Sequence, residues 1–353
     1  MAEPTTTDST ATTTTSTAVC ISHRKDVDGL SSAALVKMAT GAEIILADYG
    51  DLVKTLSEVT RCSHLYICDL GMNEHLAAPF VKELERIRTF ATIHYIDHHP
   101  LDPKVKDTLT SLGVDLTHSQ EECTSVLTYT KFKDQLKRGS AIIAAYGAVT
   151  DYADDQPTAK KIIALFDRQF VLLEATMLTY ALIGAAAVTD EYDFRNRIVI
   201  DLSETKFPHQ INGVTEAMRN GLEATANLML EVAEKGVKGN KTAHMEVTEG
   251  STGTVANLLV GTFEVPVGIA YRYMKDEDVY EVSLRGSYDA PYDLGKIVSQ
   301  VTGMIGGSGG GHKKASGARI PSGLLKDFLD LVEFEIDKVT APDHRGFARL
   351  STP

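Results

Sequence analysis

The sequence predicts an α/β protein in two parts: a parallel-sheet domain with a helical extension, then a second, smaller α/β domain. Three observations carry this expectation. From residue 18 onward, short apolar runs alternate with helix-length stretches, the pattern of strands joined by right-handed crossovers. Beyond residue 123 the pattern turns helical, and strand-like runs return only after residue 242. The chain has 353 residues, room for two domains of about 100–200 residues each.

The elements follow in order. A strand at residues 18–22 precedes a helix at 31–39, a strand at 43–47, a helix at 52–59 and a strand at 65–68. Asn73 is a natural N-cap for an amphipathic helix reaching about residue 88, and the fourth strand occupies 92–96. Helices are expected at 124–137, at 141–152 and onward to about residue 233. Residues 235–242, rich in lysine and glycine, read as a linker. The second part then offers strands at 243–247, 265–273 and 279–285, with helices at 252–259, 294–302 and 324–339. The expected organisation is a threonine-rich tail (1–17), a first domain (18–234), the linker, a second domain (243–341) and a C-terminal tail (342–353).

With 43 % hydrophobic and 24 % charged residues, the composition is that of an ordinary globular protein. A net charge of −13 argues against indiscriminate binding to long nucleic acid. It leaves room for a small phosphorylated ligand held by metal ions and a few local cations. Cys20, Cys62, Cys68 and Cys123 form no Cys-x-x-Cys pair, so buried thiols in a reducing cytoplasm are expected. The first 17 residues lack the apolar core and basic start of a signal peptide and read as a disordered tail. The longest uncharged stretch, 175–189, is shorter than the ~20 residues a membrane helix needs. A cytoplasmic protein without a membrane span is the expectation.

Ligands of open parallel sheets gather beyond the strand carboxyl ends, and there the chain concentrates its acids. Asp26 and Asp28 follow the first strand, Asp69 the third, and Asp97-His98-His99 the fourth, while Asp151 closes the run 148–151. A lone aspartate at an element end is usually a cap or a turn former. Four such clusters in one sheet are hard to explain in that way. Carboxylates with a few imidazoles and no thiolates suit hard or borderline ions such as Mn²⁺ or Mg²⁺. Asp26 and Asp28, read as a tight turn ahead of Gly29, repel one another unless a cation intervenes. Asp69, His98 and Asp151 would complete a site for two ions about 3.5–4 Å apart, suited to activating water for a phosphoester displacement.

A second constellation lies at residues 305–317, where a glycine run ends in His312, Lys313 and Lys314, with Arg319 close behind and no acid between them. Glycines let backbone N–H groups approach a phosphate as a nest does. Arg285, closing an alternating apolar run, offers a bidentate phosphate contact or else an ordinary edge-strand arginine.

Four acidic motifs leading to Asp-His-His, followed by Gly-Gly-Gly-His-x-x-Ala-Ser-Gly, resemble the DHH phosphoesterase family with its DHH-associated C-terminal domain. The resemblance covers about residues 18–340 and implies two domains flanking a cleft, with two Mn²⁺ in the first and substrate capture by the second; Mg²⁺ or another divalent ion is an alternative. Carried onto this chain, it implies that His23, Asp26 and Asp69 hold one ion. Asp28, Asp69, His98 and Asp151 hold the other, with Asp69 bridging. Asp97 orients its neighbours, His99 contacts the phosphate, and Arg285, Gly310, Gly311 and His312 grip the distal end of the substrate. The spacing from His23 to Asp26 is one residue shorter than in the nano-RNase branch, and Asp154 and Asp155 stand close enough in sequence to compete with Asp151.

The activity so implied is hydrolysis of short nucleotide substrates: oligoribonucleotides, linear or cyclic dinucleotides, or 3′-phosphoadenosine 5′-phosphate. The length leaves no room for the further domain of long RecJ nucleases. A RecJ-like single-strand exonuclease is the alternative. A non-catalytic scaffold is a third reading, disfavoured because every expected ligand position is filled. Protein partners are not legible, and a homodimer is left open.

Overall fold

The computed structural model describes residues 18–72, 74–185, 190–248, 250–287, 290–311 and 313–340. The expected tails, the Asn73 cap and His312 lie outside the described residues. The chain divides into two compact units, Met1–Glu223 and Ala224–Pro353.

The first unit is built on a five-stranded parallel sheet. Its strands are β1 (Ala18–His23), β2 (Glu43–Ala47), β3 (His64–Cys68), β4 (Thr92–Asp97) and β5 (Asp115–His118), in the order β2-β1-β3-β4-β5. The order reverses between β1 and β3, so the loops leaving those two strands diverge and open a crevice at the strand carboxyl ends. Helices cover both faces. One face packs α1 (Val27–Thr40), α5 (Thr124–Phe132), α6 (Ala141–Thr150), α8 (Arg168–Ile183) and α9 (Glu191–Ser203) into a core containing Leu30, Tyr146, Leu178 and Phe194. The other packs α2 (Leu52–Glu58), α3 (Glu74–Ile87) and α4 (Pro103–Ser111) through Leu56, Phe80 and Leu109. The short α7 (Pro157–Ile163) has no side-chain cap of its own; Glu122 accepts from Thr158 N (2.6 Å) and Ala159 N (3.2 Å) instead.

The first helix starts at Val27, four residues earlier than its apolar pattern suggests. Asp26 is its N-cap, accepting from Gly29 N, so Asp26 and Asp28 sit on the first helical turn and not on a tight turn. Gly29 is required for another reason: a Cβ there would lie 2.3 Å from the His23 carbonyl oxygen. The pair α4 and β5 was not anticipated. β5 is a four-residue edge strand, half-buried to exposed, and carries no apolar run; the Asp102-Pro103 start of α4 was its sequence signal.

Helix α10 (Val214–Lys235) runs into the second unit, whose six-stranded mixed sheet has the order β10-β11-β9-β8-β7-β6. Its strands are β6 (Val237–Lys238), β7 (Thr242–Glu246), β8 (Val267–Met274), β9 (Val279–Gly286), β10 (Ser308–Gly311) and β11 (Ala315–Pro321). Helix α11 (Thr252–Phe263) packs with Met245 and Val255 on one side. On the other, α12 (Leu294–Ile305) and α13 (Leu325–Thr340) pack through Ile269, Val298 and Phe328. Residues read as a linker form an edge hairpin: Val237 and Lys238 pair with His244 and Ala243, and Gly239 N donates to Thr242 O at 2.7 Å. Its lysines and glycines suit an exposed edge strand as well as a linker.

Candidate metal centre

Each acidic residue is delivered by an element end. His23 closes β1, Asp26 and Asp28 open α1, Asp69 follows β3, Asp97 closes β4 with His98 and His99 just beyond, and Asp151 is the C-cap of α6. Three groups of potential ligands result, each with its donor atoms within 4.8 Å of one another: His23, Asp26 and Asp69; Asp69, His98 and His99; and Asp28, His98 and Asp151. Asp69 joins the first two groups and His98 the last two. His98 Nε2 lies 3.6 Å from Asp69 Oδ1 and 3.5 Å from Asp151 Oδ2. Of the competing acids, Asp154 faces Arg168 at 3.9 Å and Asp155 accepts from Gln156. Asp151 is therefore the member of the run that joins the cluster.

The supports are local. Asp69, only 1 % exposed, adopts a left-handed backbone with φ 58°, a conformation aspartate tolerates better than most residues. Its N–H donates to Ile96 O at 3.1 Å, and Thr124 Oγ1 donates to its Oδ1 at 3.0 Å. Asp28 accepts from Thr124 N (2.8 Å) and Ser125 N (2.9 Å), capping α5, whose own Cys123 provides no side-chain cap. Asp97 accepts from His99 N (3.1 Å), pairs with His99 Nδ1 (2.9 Å) and receives the Tyr95 hydroxyl (3.3 Å). It stands outside all three groups, whereas His99 belongs to one of them. His99 Nε2 meets the Tyr49 hydroxyl at 3.0 Å.

Sequence reasoning overlooked several contributors. Tyr49 and Asp48 follow β2 without a motif; Asp48 pairs with Lys25 and lies 3.6 Å from His23 Nε2. Gly71 and Gly147 make the space. A Cβ at Gly71 would fall 2.6 Å from His99 Cβ and Cγ, and one at Gly147 would fall 2.4 Å from Asp28 Oδ1 and 2.1 Å from Ser125 Oγ. Gly71 directly after Asp69-Leu70, and Gly147 one helical turn before Asp151, were the available signals.

The electrostatics are those of crowded, buried acids. Burial, then Asp26 and Asp28, raise the Asp69 carboxyl well above its ordinary range. Burial, then Asp28 and Asp69, push Asp151 up to about 9. Burial opposes ionisation of Asp26, yet the bond to His23 more than offsets it and the net direction is down. Burial lowers His98. It acts likewise on His23 and His99, but Asp26 and Asp69 carry His23 up to about 10 and Asp97 carries His99 up to about 9. His23 Nε2 is buried without a hydrogen-bond partner among the described residues. Carboxylates that repel, set beside imidazole nitrogens, fit divalent cations; a bound cation turns the same repulsion into attraction. The donor set is oxygen and nitrogen only, as expected for Mn²⁺ or Mg²⁺. All four cysteines are buried and free.

In the second unit, Arg285 Nη1 donates to Leu284 O at 2.9 Å, and no carboxylate pairs with it among the described residues. Burial lowers its pKa. It packs on the start of α11, where a Cβ at Gly253 would lie 2.7 Å from Nη2; Thr252 Oγ1 and Ser283 Oγ are 2.8 Å apart. Gly310 and Gly311 belong to edge strand β10, pairing with Gly317 and Ser316, so this part of the run is a strand and not a phosphate nest. Close packing explains two of its glycines, since a Cβ would meet Val298 Cγ1 at 2.7 Å from Gly309 and Ala315 O at 2.6 Å from Gly311, whereas Gly310 has open space beside it. Arg319 is not a free cation; it pairs with Glu277 at 2.6 Å.

The fold and the donor set define a two-unit α/β protein with a candidate divalent-metal centre at the switch point of its parallel sheet. The DHHA1 domain family matches residues 233–338. No curated protein matches the sequence. Among solved structures, a pGpG-specific phosphodiesterase, PggH from Vibrio cholerae, aligns with TM-score 0.57 and 13 % identity over 92 % of this chain and 99 % of its own. A DHH domain from a member of the S1p family of ribosomal proteins aligns with TM-score 0.66 and 16 % identity, over 92 % and 87 %. RecJ from Thermus thermophilus, in complex with Mn²⁺, aligns with TM-score 0.58 and 17 % identity over 92 % of this chain but 52 % of its own. The match to the DHHA1 domain family covers the second part of the chain, and the likeness to these solved structures is one of fold. Among the described residues, no helix is long and apolar enough to cross a membrane.

Proposed function

We propose that this chain is a metal-dependent phosphoesterase hydrolysing short nucleotide substrates, with Mn²⁺ as the preferred ion. The observation that carries the reading is the convergence of His23, Asp26, Asp28, Asp69, His98 and Asp151 into overlapping ligand groups. In this reading His23, Asp26 and Asp69 hold one ion, and Asp28, Asp69, His98 and Asp151 the other. Two such ions supply an activated water and neutralise charge at phosphorus.

The protein's own groups do the rest. Asp97 fixes the His99 ring through Nδ1, and its charge keeps the imidazole protonated. The Nε2–H, which now meets Tyr49, is then a donor for a phosphate oxygen. Asp28, tied to the N-terminus of α5, cannot swing away from its ligand group. Within the second unit, Arg285 offers a desolvated guanidinium for a phosphate, and Gly310 and Gly311, on β10, would let a ligand approach the backbone closely.

Short substrates are favoured by charge. The net charge is −13, and Arg24, Lys25, Lys131 and Arg319 are each paired with a carboxylate, so the chain as a whole offers a long phosphate backbone no net attraction. A RecJ-like single-strand exonuclease is the second reading, favoured by a fold likeness to RecJ as close as that to the pGpG phosphodiesterase. The test is incubation with Mn²⁺ and a panel of pApA, a cyclic dinucleotide, 3′-phosphoadenosine 5′-phosphate, short RNA and single-stranded DNA. Preferred cleavage of dinucleotide-sized substrates, with a shallow salt dependence, is expected. Processive digestion of long single strands with a steep salt slope would promote the exonuclease.

A further inference from the structure

We infer that Tyr152 is a stacking platform for a substrate nucleobase beside the metal centre, an inference that rests on the nucleotide reading above. Helix α6 ends in a Schellman motif: Ala153 N donates to Ala148 O at 2.8 Å and Tyr152 N approaches Val149 O at 3.4 Å. The residue after the C-cap in this motif is usually glycine, because the backbone there turns left-handed. Here it is Tyr152, with φ 56°. A bulky side chain in that region is an outlier.

Such a conformation persists when side-chain packing compensates for it, and among the described residues none does. The side chain is 83 % exposed, and no ring contact or hydrogen bond of the phenol is present among the described residues. A lone exposed aromatic on an unstrained surface would need no account. This one sits at a position where glycine has no steric cost, one residue beyond Asp151.

The surroundings suit a base. Thr150, on the same helix end, lines a cavity of about 190 Å³ together with Val27, Thr179, Leu182 and Ile183, and with Lys25 and Asp26 as its charged members. The ground next to Asp26 is thus largely apolar; Tyr152 does not itself line this cavity but follows Thr150 by two residues, and an aromatic side chain can stack on the π-face of any base. Stacking is tolerant of base identity, so Tyr152 would favour nucleotides over simple phosphoesters without choosing among bases.

The experiment compares wild type, Tyr152→Gly, Tyr152→Asn and Tyr152→Phe in Mn²⁺, with pApA and an abasic analogue of the same backbone. Glycine and asparagine both accept the left-handed backbone, so their Tm is expected at or above that of wild type. Both should raise KM for pApA about tenfold or more, the effect of losing one base–aromatic stack, with kcat unchanged. The abasic analogue should not distinguish the variants from wild type, and Tyr152→Phe should retain wild-type KM. An unchanged KM for pApA in the glycine and asparagine variants, with normal turnover, would overturn the inference and leave the phosphoesterase reading standing. An equal rise in KM for the abasic analogue would also overturn it, because the effect would then belong to the backbone. Where the wild type leaves pApA intact, the same variants are compared on the short nucleotide of the panel that it does cleave; cleavage of none would overturn this inference together with the short-nucleotide reading.

Discussion

At the scale of residues, the proposal separates side chains that would hold ions from His99, which also belongs to one potential ligand group but is assigned to the substrate phosphate. Asp69→Ala removes the carboxylate common to two ligand groups and is expected to abolish turnover and lower Mn²⁺ stoichiometry in calorimetry. His99→Ala should instead leave Mn²⁺ binding intact and reduce kcat by about 2–4 kcal/mol of transition-state stabilisation, the worth of one positioned donor. Loss of both ions in His99→Ala would show that His99 is a ligand. Gly71→Ala is the sharper probe, since it removes no functional group. Its Cβ would crowd His99 at 2.6 Å, so kcat should fall as in His99→Ala while Mn²⁺ binding persists; wild-type kcat would mean that the loop gives way freely. The acids and imidazoles of this site were legible because their types are chemically unusual at strand ends. Gly71, Gly147, Tyr49 and Asp48 were not, because clearance and neighbourhood are properties of packing. Arg319 was misread for the same reason: its partner Glu277 is distant in sequence and adjacent in space.

At the scale of elements, apolar periodicity located strands that carry an apolar run, edge strand β2 among them, and failed where that run is missing, as in β5, β6, β10 and the interior strand β11. β1, β3 and β4 are central and read directly. β5, β6 and β10 are edge strands without an apolar run; β5 was not read at all, and a linker and a nest were read in place of β6 and β10. The start of α1 was missed because Val27-Asp28-Gly29-Leu30 looks like a turn, although Asp26 is a standard N-cap. Helix ends also depend on distant residues. α7 is capped by Glu122 across the fold, so Glu122→Ala should destabilise the protein by about 1 kcal/mol, read as a lower midpoint of urea unfolding, with kcat unaltered. An unchanged midpoint would assign the capping of α7 to solvent.

At the scale of the whole molecule, the two-part pattern of the chain was visible in the return of strand-like runs after residue 242, and two compact units are found. The candidate metal centre draws on β1, α1, β3, β4 and α6 of the first unit, segments far apart in sequence that meet only when the parallel sheet has closed in the order β2-β1-β3-β4-β5. The central claim is therefore geometric: one fold brings six side chains together as a site for two ions. Anomalous diffraction from crystals grown in Mn²⁺ tests it most directly. Two peaks about 3.5–4 Å apart are predicted, bridged by the Asp69 carboxylate, with His23 and Asp26 on one and Asp28, His98 and Asp151 on the other. A single peak, or peaks that leave Asp69 unliganded, would contradict it.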